Sequence, residues 1–278
     1  MLQFIREFLL AVQFFTRIPV TGKLANWVDF STDSLRASAA HFPGVGMLVG
    51  AVAAAVYGLV QGLLPDTTFT PLVAASLSTV ATVLLTGGFH EDGLADVADG
   101  LGGSYDRERS LAIMKDSQIG AFGALALVLA LLSKVALLAV LGAVASPPAE
   151  GDAALFSSWY VCTALWCGHV VSRGLPLLLV WLLPHVGNTA DSKSKPLADQ
   201  ITPRALAVAF AWCAGACVLT SLVIDGANLL WGCGAALAAL LVLLWFFKKR
   251  LQGFTGDCLG AAQQVCEIAF YLGLAASL

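Results

Sequence analysis

The sequence predicts an all-α, polytopic integral membrane protein with about seven transmembrane helices, an N-terminal interfacial helix and a cytoplasmic acidic helix. Of its 278 residues, 58% are hydrophobic and only 12% are charged, whereas a soluble domain carries about 25% charged residues. Because this leaves too little polar surface to coat a soluble globule, the expected partner is the lipid bilayer. The formal net charge of -3 gives no indication of a nucleic-acid partner.

We expect one membrane-embedded catalytic domain over residues 1–278, of which 1–40 form a cytoplasmic interfacial segment. Apolar side chains recur at helical spacing from Phe4 to Phe15, which is typical of a helix lying along a membrane surface. Glu7 and Gln13 interrupt this run, so it does not predict a signal peptide. The helix should end near Arg17-Ile18-Pro19, because the residue before a proline avoids the helical conformation.

Seven apolar stretches follow, each close to or above the roughly 20 residues that a helix needs to cross a bilayer. They run approximately over residues 41–64, 69–89, 119–144, 155–183, 205–224, 227–247 and 256–278. The fourth is overlong and contains Pro176, so a kinked or broken helix fits it as well as one straight span. The polar stretches 90–118 and 184–203 are predicted cytoplasmic loops, where function usually resides.

The distribution of Lys and Arg supports the count of seven spans. If the N-terminus is cytoplasmic, thirteen of the fifteen basic residues lie in the N-terminal segment, in the two loops, at Arg204 directly after the second loop, and in the connection at 248–250. The opposite connections, near 65–68, 145–154 and 225–226, contain no Lys or Arg. This positive-inside pattern predicts a C-terminus on the outer side.

The sharpest local signal is the acidic stretch from His90 to Gly100. On a helix, Asp92, Asp96 and Asp99 fall within about 60° of one another, at about 100° per residue. Like charges at this spacing destabilise an isolated helix. Bound Mg²⁺ would offset the repulsion, since magnesium prefers oxygen ligands and keeps positions for water and phosphate. The alternative is a solvated acidic helix at the membrane surface.

Three more charges, Lys134, Arg173 and Glu267, lie within predicted spans. A charge at mid-bilayer costs at least about 2.5 kcal/mol, so these side chains should face protein or water. His169 and Arg173 are four residues apart and can share a helix face, and Glu267 offers a partner of opposite charge. A functional site and a buried structural ion pair both fit. Asp257, at the start of the last span, could complete a metal site or cap its helix.

Five segments carry a family resemblance: Phe15 to Val20, Phe42 to Gly46, His90 to Gly100, Met114 to Gly120 and Thr255 to Ala261. Together they closely resemble the cobalamin synthase family, over nearly the whole chain. The resemblance implies an adenosylcobinamide-GDP ribazoletransferase of the bacterial inner membrane. Such an enzyme joins a corrinoid nucleotide, adenosylcobinamide-GDP, to α-ribazole or α-ribazole 5′-phosphate, releases GMP and requires Mg²⁺. Homo-oligomers, or association with other corrinoid-pathway enzymes, are left open.

The implied reaction gives the charged residues roles at the cytoplasmic face. Asp92, Asp96 and Asp99 are expected to hold one or two Mg²⁺ ions that bridge the diphosphate as GMP leaves. The ribazole hydroxyl is the nucleophile, and its proton can pass to one of three candidate acceptors, which are His90, Glu91 and Asp116. The candidates for phosphate contacts are Arg17, Lys115, Lys134 and Arg173, with Asp257 as an additional metal or substrate ligand.

Two alternatives of other classes remain at this point. A lipid synthase like the CDP-alcohol phosphotransferases would use similar chemistry, but in that family two residues and then Ala-Arg follow the Asp-Gly pair. Here Asp92-Gly93 is followed by Leu94-Ala95-Asp96, which argues against that family. An ion-coupled transporter would use the charges within the spans, but it would leave the clustered aspartates unexplained.

Overall fold

The fold is described from a computed structural model that covers residues 2–28, 31–144, 153–187 and 201–278. Most of the predicted loop 184–203 and of the outer connection 145–154 lies outside these ranges. Within them the chain is helical, apart from its short connections and an isolated parallel bridge between His185 and Phe254. The predicted all-α class is confirmed.

The N-terminal segment forms three short helices and a turn. Helix α1 spans Leu2–Phe15, α2 spans Gly22–Val28, α3 spans Thr32–Ser38, and a 3-10 turn follows at Ala39–His41. The predicted helix is α1, and it packs one apolar face on the bundle while its first turns stay exposed. The sequence did not predict α2 and α3, because their apolar periodicity is too short to stand out.

Ten further helices complete the chain. They are α4 (Phe42–Leu63), α5 (Thr70–Thr86), α6 (Phe89–Gly103), α7 (Arg107–Ile113), α8 (Ala121–Val144), α9 (Ala153–Gly174), α10 (Leu177–Leu182), α11 (Pro203–Thr220), α12 (Gly226–Arg250) and α13 (Gly256–Ala276). Among the described residues, six helical segments are long and apolar enough to cross a membrane, or seven if α5 and α6 count together. This agrees with the prediction of about seven spans. We treat α5 as the seventh crossing and α6 as lying outside it.

The fourth predicted span is interrupted, which was one of the two possibilities left open. Helix α9 ends at Gly174 and α10 begins at Leu177. Pro176 stands in the gap, and it has no backbone N–H with which to continue the helical ladder. The break places the short helix α10 beside the start of α13, where the backbone N–H of Val186 donates to the carbonyl of Phe254 at 2.9 Å.

Helices α5 and α6 meet at a right-angled turn. Gly87 and Gly88 both have positive φ values, 72° and 71°, a conformation that glycine adopts without steric cost. The two helix axes differ by 90°. The turn is anchored by the N-terminal segment, because the backbone N–H of Arg17 donates to the carbonyl of Leu85 at 2.7 Å.

Helix α6 crosses the first turns of α13 at two glycines. A methyl group on Gly93 would lie 2.8 Å from the carbonyl oxygen of Asp257, and one on Gly260 would lie 3.2 Å from that of His90. The backbones of the two helices therefore touch directly. Since α9 and α13 form the interior of the bundle while α8, α11 and α12 turn many large apolar side chains outward, this crossing marks one end of the core.

Candidate active site

The three aspartates of α6 differ in their surroundings. Asp92 is exposed, Asp96 is half-buried and Asp99 is buried. The two carboxylate oxygens of Asp99 accept backbone N–H groups from Gly120 at 2.7 Å and from Gly123 at 2.8 Å. Asp99 thus satisfies free donors at the start of α8, as a helix-capping side chain does. The sequence predicted that Asp99 shares a face of α6 with Asp92 and Asp96, but it could not show that α8 begins against this side chain.

Asp92, Asp96 and Asp257 bring negative charge together where α6 crosses α13. Burial, and after it the neighbouring carboxylates of Asp257, Asp92 and Asp99, together raise the pKa of Asp96 to about 7. Among the described residues, no hydrogen-bond donor reaches the side chain of Asp92 or Asp96. The hydroxyl of Thr255 donates to Asp257 at 3.2 Å. The carboxylate that the sequence placed at this boundary therefore joins the acidic cluster.

This set of carboxylates fits Mg²⁺ as a partial ligand shell. No three His, Cys, Asp or Glu side chains of the described chain form a ready-made metal site. Magnesium does not require one, because it commonly binds through one or two carboxylates and takes its other ligands from water and substrate phosphates. The crowding of Asp96 by like charges is the observation that favours a cation here.

Two of the predicted phosphate contacts lie on the surface near α6. The Arg17 side chain is exposed and its guanidinium lies over Gly87, in the turn that leads into α6. Lys115 and Asp116 are exposed just after α7, and the Asp116 carboxylate accepts the backbone N–H of Gln118 at 3.1 Å. Asp116 therefore stabilises a surface turn, and no described contact brings it to the acidic cluster.

The other two predicted contacts, Lys134 and Arg173, are buried inside the bundle, 3% and 2% exposed. The ammonium of Lys134 lies 2.6 Å from the Glu267 carboxylate. Nδ1 of His169 lies 3.3 Å from the other carboxylate oxygen of Glu267 and 2.9 Å from a guanidinium nitrogen of Arg173. The expected partnership of His169, Arg173 and Glu267 is present, with Lys134 added.

A chain of amide side chains joins this buried cluster to α6. Gln263 donates to Glu267 at 2.6 Å, and Gln264 donates to Gln263 at 2.9 Å. Gln264 also lies 3.0 Å from an oxygen of Glu91, to which it donates. The sequence reasoning missed both glutamines, although two adjacent amides inside an apolar span were a visible signal. The other oxygen of Glu91 is buried and has no hydrogen-bond partner among the described residues.

His90 lies on the buried side of α6. Its ring is 1% exposed and stacks on Phe42, with the ring centres 5.6 Å apart and the planes 13° apart. Nε2 of His90 is buried without a hydrogen-bond partner among the described residues. The structure therefore separates the three candidate proton acceptors: Glu91 belongs to the polar chain, Asp116 to the surface, and His90 to an aromatic environment.

Comparison with known proteins identifies the family to which the chain belongs. The profile of the cobalamin-5-phosphate synthase family matches residues 7–275. The chain belongs to that family. An adenosylcobinamide-GDP ribazoletransferase of Polaromonas naphthalenivorans is 72% identical over 278 residues, which cover 100% of both chains. The corresponding protein of Leptothrix cholodnii is 44% identical over 96% of this chain and 94% of its own.

The family match agrees with the resemblance found in the five sequence segments. A third relative with the same description, from Albidiferax ferrireducens, is 57% identical over 100% of both chains. No solved structure matches the chain. All five segments meet in the structure, because Arg17 lies against the turn before α6, Phe42 stacks on His90, Gly120 donates to Asp99, and Asp257 lies against Gly93.

Proposed function

We propose that this protein joins adenosylcobinamide-GDP to α-ribazole or α-ribazole 5′-phosphate and releases GMP. Its membership of the cobalamin-5-phosphate synthase family, and relatives described as adenosylcobinamide-GDP ribazoletransferases along the full length, support this transferase activity. The single structural observation that carries the proposal is the convergence of Asp92, Asp96 and Asp257 where α6 crosses α13. A diphosphate with a bound cation is the substrate group that such an acidic cluster suits.

In the proposed reaction, the ribazole hydroxyl oxygen attacks the phosphorus that carries the cobinamide. A new phosphate ester bond forms, the bond between that phosphorus and the bridging oxygen breaks, and GMP leaves with the electron pair. The hydroxyl proton passes to a base. The work of the protein is to align the two oxygens and to offset the charge on the phosphates.

Asp92, Asp96 and Asp257 are the proposed Mg²⁺ ligands, and Asp99 supports them by fixing the start of α8 against α6. When bound, the cation would neutralise the diphosphate charge and stabilise the leaving oxygen. The exposed Arg17 and Lys115 are the proposed phosphate contacts, since both side chains are accessible from solvent. Lys134 and Arg173 instead remain committed to the buried cluster around Glu267.

Glu91 is the proposed proton acceptor. It lies on α6 directly before Asp92, the first residue of the acidic cluster. One of its oxygens is held by Gln264, and the other is buried and lacks a donor. A substrate hydroxyl can supply that missing donor, and a carboxylate with a fixed orientation is well placed to receive its proton. Asp116 and His90 lack this combination.

The proposed location is the inner membrane of a bacterium, with the active site at the cytoplasmic face. The helix ends that meet at the acidic cluster are those predicted to lie inside by the distribution of Lys and Arg. A cytoplasmic site also gives direct access to nucleotide substrates.

The test is a reconstituted reaction. Purified protein in detergent or liposomes is incubated with adenosylcobinamide-GDP, α-ribazole and Mg²⁺, and a joined corrinoid and GMP should appear in equal amounts. Adding a chelator should stop both, and returning Mg²⁺ should restore them. If folded protein forms neither product, the proposed activity is wrong, whereas activity that persists in excess chelator would remove only the metal requirement.

A further inference from the structure

Two adjacent glutamines of α13, Gln263 and Gln264, connect the buried ion cluster to Glu91 on α6. Both side chains are buried, 0% and 3% exposed. Gln264 follows Asp257 by seven residues and Gly260 by four, so all three lie on the face of α13 that crosses α6. Burying an amide is unfavourable unless its polar atoms are paired. The partners of the two glutamines therefore indicate their role.

The carboxylate of Glu267 fixes the orientation of the Gln263 amide. Glu267 lies 2.6 Å from the ammonium of Lys134 and accepts from the hydroxyl of Tyr271 at 3.1 Å. An ionised carboxylate can only accept hydrogen bonds, so Gln263 must turn its NH2 group toward Glu267, to which it donates at 2.6 Å. The same NH2 group donates to the hydroxyl of Ser172 at 3.1 Å. The carbonyl oxygen of Gln263 is left to accept from another donor.

The orientation of Gln263 determines that of Gln264 in turn. The carbonyl oxygen of Gln263 accepts from Nε2 of Gln264 at 2.9 Å, and the same nitrogen donates to one carboxylate oxygen of Glu91 at 3.0 Å. A reversed Gln264 amide would place its carbonyl oxygen against a carbonyl and a carboxylate, neither of which can donate. Glu91 therefore meets an N–H group of Gln264.

The hydrogen bond from Gln264 restricts the orientation of Glu91. Glu91 is half-buried, and the oxygen that Gln264 does not hold is buried without a hydrogen-bond partner among the described residues. A carboxylate with one oxygen held keeps its other oxygen in a defined position. This matters for a catalytic group, because a misplacement of about 1 Å can lower a rate about 100-fold.

We infer that Gln264 is a positioning residue for the proton transfer, and that Gln263 and Glu267 fix the direction in which it donates. The inference rests on the proposed function, in which Glu91 accepts the proton of the ribazole hydroxyl. It also gives the buried carboxylate of Glu267 a part in the reaction, since the charge of Glu267 orients the amides that hold Glu91.

Gln264→Met tests the hydrogen bond, because methionine is similar in size to glutamine but has no N–H group. It should lower kcat about tenfold or more and leave KM for both substrates within about twofold of the wild type, since it disturbs proton transfer and not binding. Gln61→Met, the same exchange on α4, is the matched control and should leave kcat unchanged. A wild-type kcat in Gln264→Met would overturn the inference.

A double variant separates positioning from a general loss of structure. Glu91→Gln removes the proton acceptor and should lower kcat about 100-fold or more. Because Gln264 acts only through Glu91, Glu91→Gln/Gln264→Met should be no slower than Glu91→Gln alone. If the two effects multiply instead, Gln264 contributes to structure only and the inference is wrong. Should Gln264→Met fail to fold, Gln263→Met, which leaves Gln264 in place, replaces it in the same comparison with the same expected result.

The outcomes separate this inference from the proposed function. If the wild-type protein releases no GMP, or if Glu91→Gln keeps the wild-type kcat, the proposed function or its proton acceptor is wrong and the inference falls with it. If Glu91→Gln is slow but Gln264→Met turns over like the wild type, the proposed reaction stands and only the positioning role is overturned.

Discussion

The ammonium of Lys134 and the carboxylate of Glu267 lie 2.6 Å apart in the interior of the bundle, both almost completely buried. Their helices, α8 and α13, meet the same α6 at its two faces, since Asp99 holds the start of α8 and Gly93 contacts Asp257 at the start of α13. The ion pair thus joins α8 and α13, the two helices against which α6 packs. From this position we infer a structural role for the pair, which is to hold α6 in place.

Breaking this pair from one side should destabilise the protein strongly. Glu267→Leu leaves Lys134 and Arg173 as buried cations without their carboxylate, and removing one partner of a buried pair costs about 3–5 kcal/mol. Lys134→Leu/Glu267→Leu should be less destabilised than Glu267→Leu alone, because it removes one of the stranded charges. Thermal unfolding in detergent measures both. If the double variant loses the sum of the two single effects, the residues are not coupled.

Removing a proposed metal ligand should abolish turnover without unfolding the protein. Asp92→Ala and Asp96→Ala are each expected to lower kcat at least about 100-fold, as loss of a group that stabilises phosphoryl transfer does. Membrane insertion and melting temperature should stay close to the wild type, because neither side chain accepts a hydrogen bond in the described structure. Glu108→Ala, an exposed carboxylate on α7, is the control and should retain activity. Wild-type rates in either aspartate variant would refute the metal site.

Asp99 should behave differently from Asp92 and Asp96. Asp99→Ala removes the acceptor for the N–H groups of Gly120 and Gly123, and loss of a helix cap costs about 0.5–2 kcal/mol. Its melting temperature should fall, while the apparent affinity for Mg²⁺ in the folded fraction should change little. Mg²⁺-dependent activity curves measure the second quantity. A large shift of those curves, with an unchanged melting temperature, would make Asp99 a metal ligand after all.

The affinity for Mg²⁺ should depend on pH around neutrality. The pKa of Asp96 is raised to about 7 by burial and by the nearby carboxylates. The metal binds the deprotonated carboxylate, so lowering the pH through 7 makes Mg²⁺ compete with a proton, and affinity should fall by up to about tenfold per pH unit below that value. Calorimetric titrations at pH 6, 7 and 8 measure this, and Asp96→Asn should flatten the dependence. The same affinity at all three values would contradict it.

The sequence was sufficient for the all-α class and the spans, and it indicated which charged residues lie together. Each apolar stretch is long enough to predict a transmembrane helix by itself. The acidic residues of α6 were recognisable as one group, and His169, Arg173 and Glu267 as another. The contacts that the sequence did not predict are those between helices that are far apart along the chain. The capping of α8 by Asp99 joins residues 21 or more positions apart, and Gln264 bonds to Glu91 across 173 positions.

The division between α5 and α6 shows a missed signal of another kind. The predicted span 69–89 runs up to the bend, and Gly87-Gly88 was visible as a pair of residues that permits a sharp turn. The direction of the turn was not predictable, because Arg17 and the start of α13 determine it. Likewise the exposure of Lys115 and the burial of Lys134 follow from packing, although both are lysines close to the same helix.

The contact of Gly93 with the backbone of Asp257, and of Gly260 with that of His90, sets how far apart the acidic groups stand. At both positions a hydrogen atom stands where any other residue would carry a carbon atom, so the two helices approach until their backbones touch. The distance between the acidic side chains of the two helices is therefore set by two residues that have no functional group. A single methyl group added at Gly93 would force α6 and α13 apart, and with them the carboxylates that they carry.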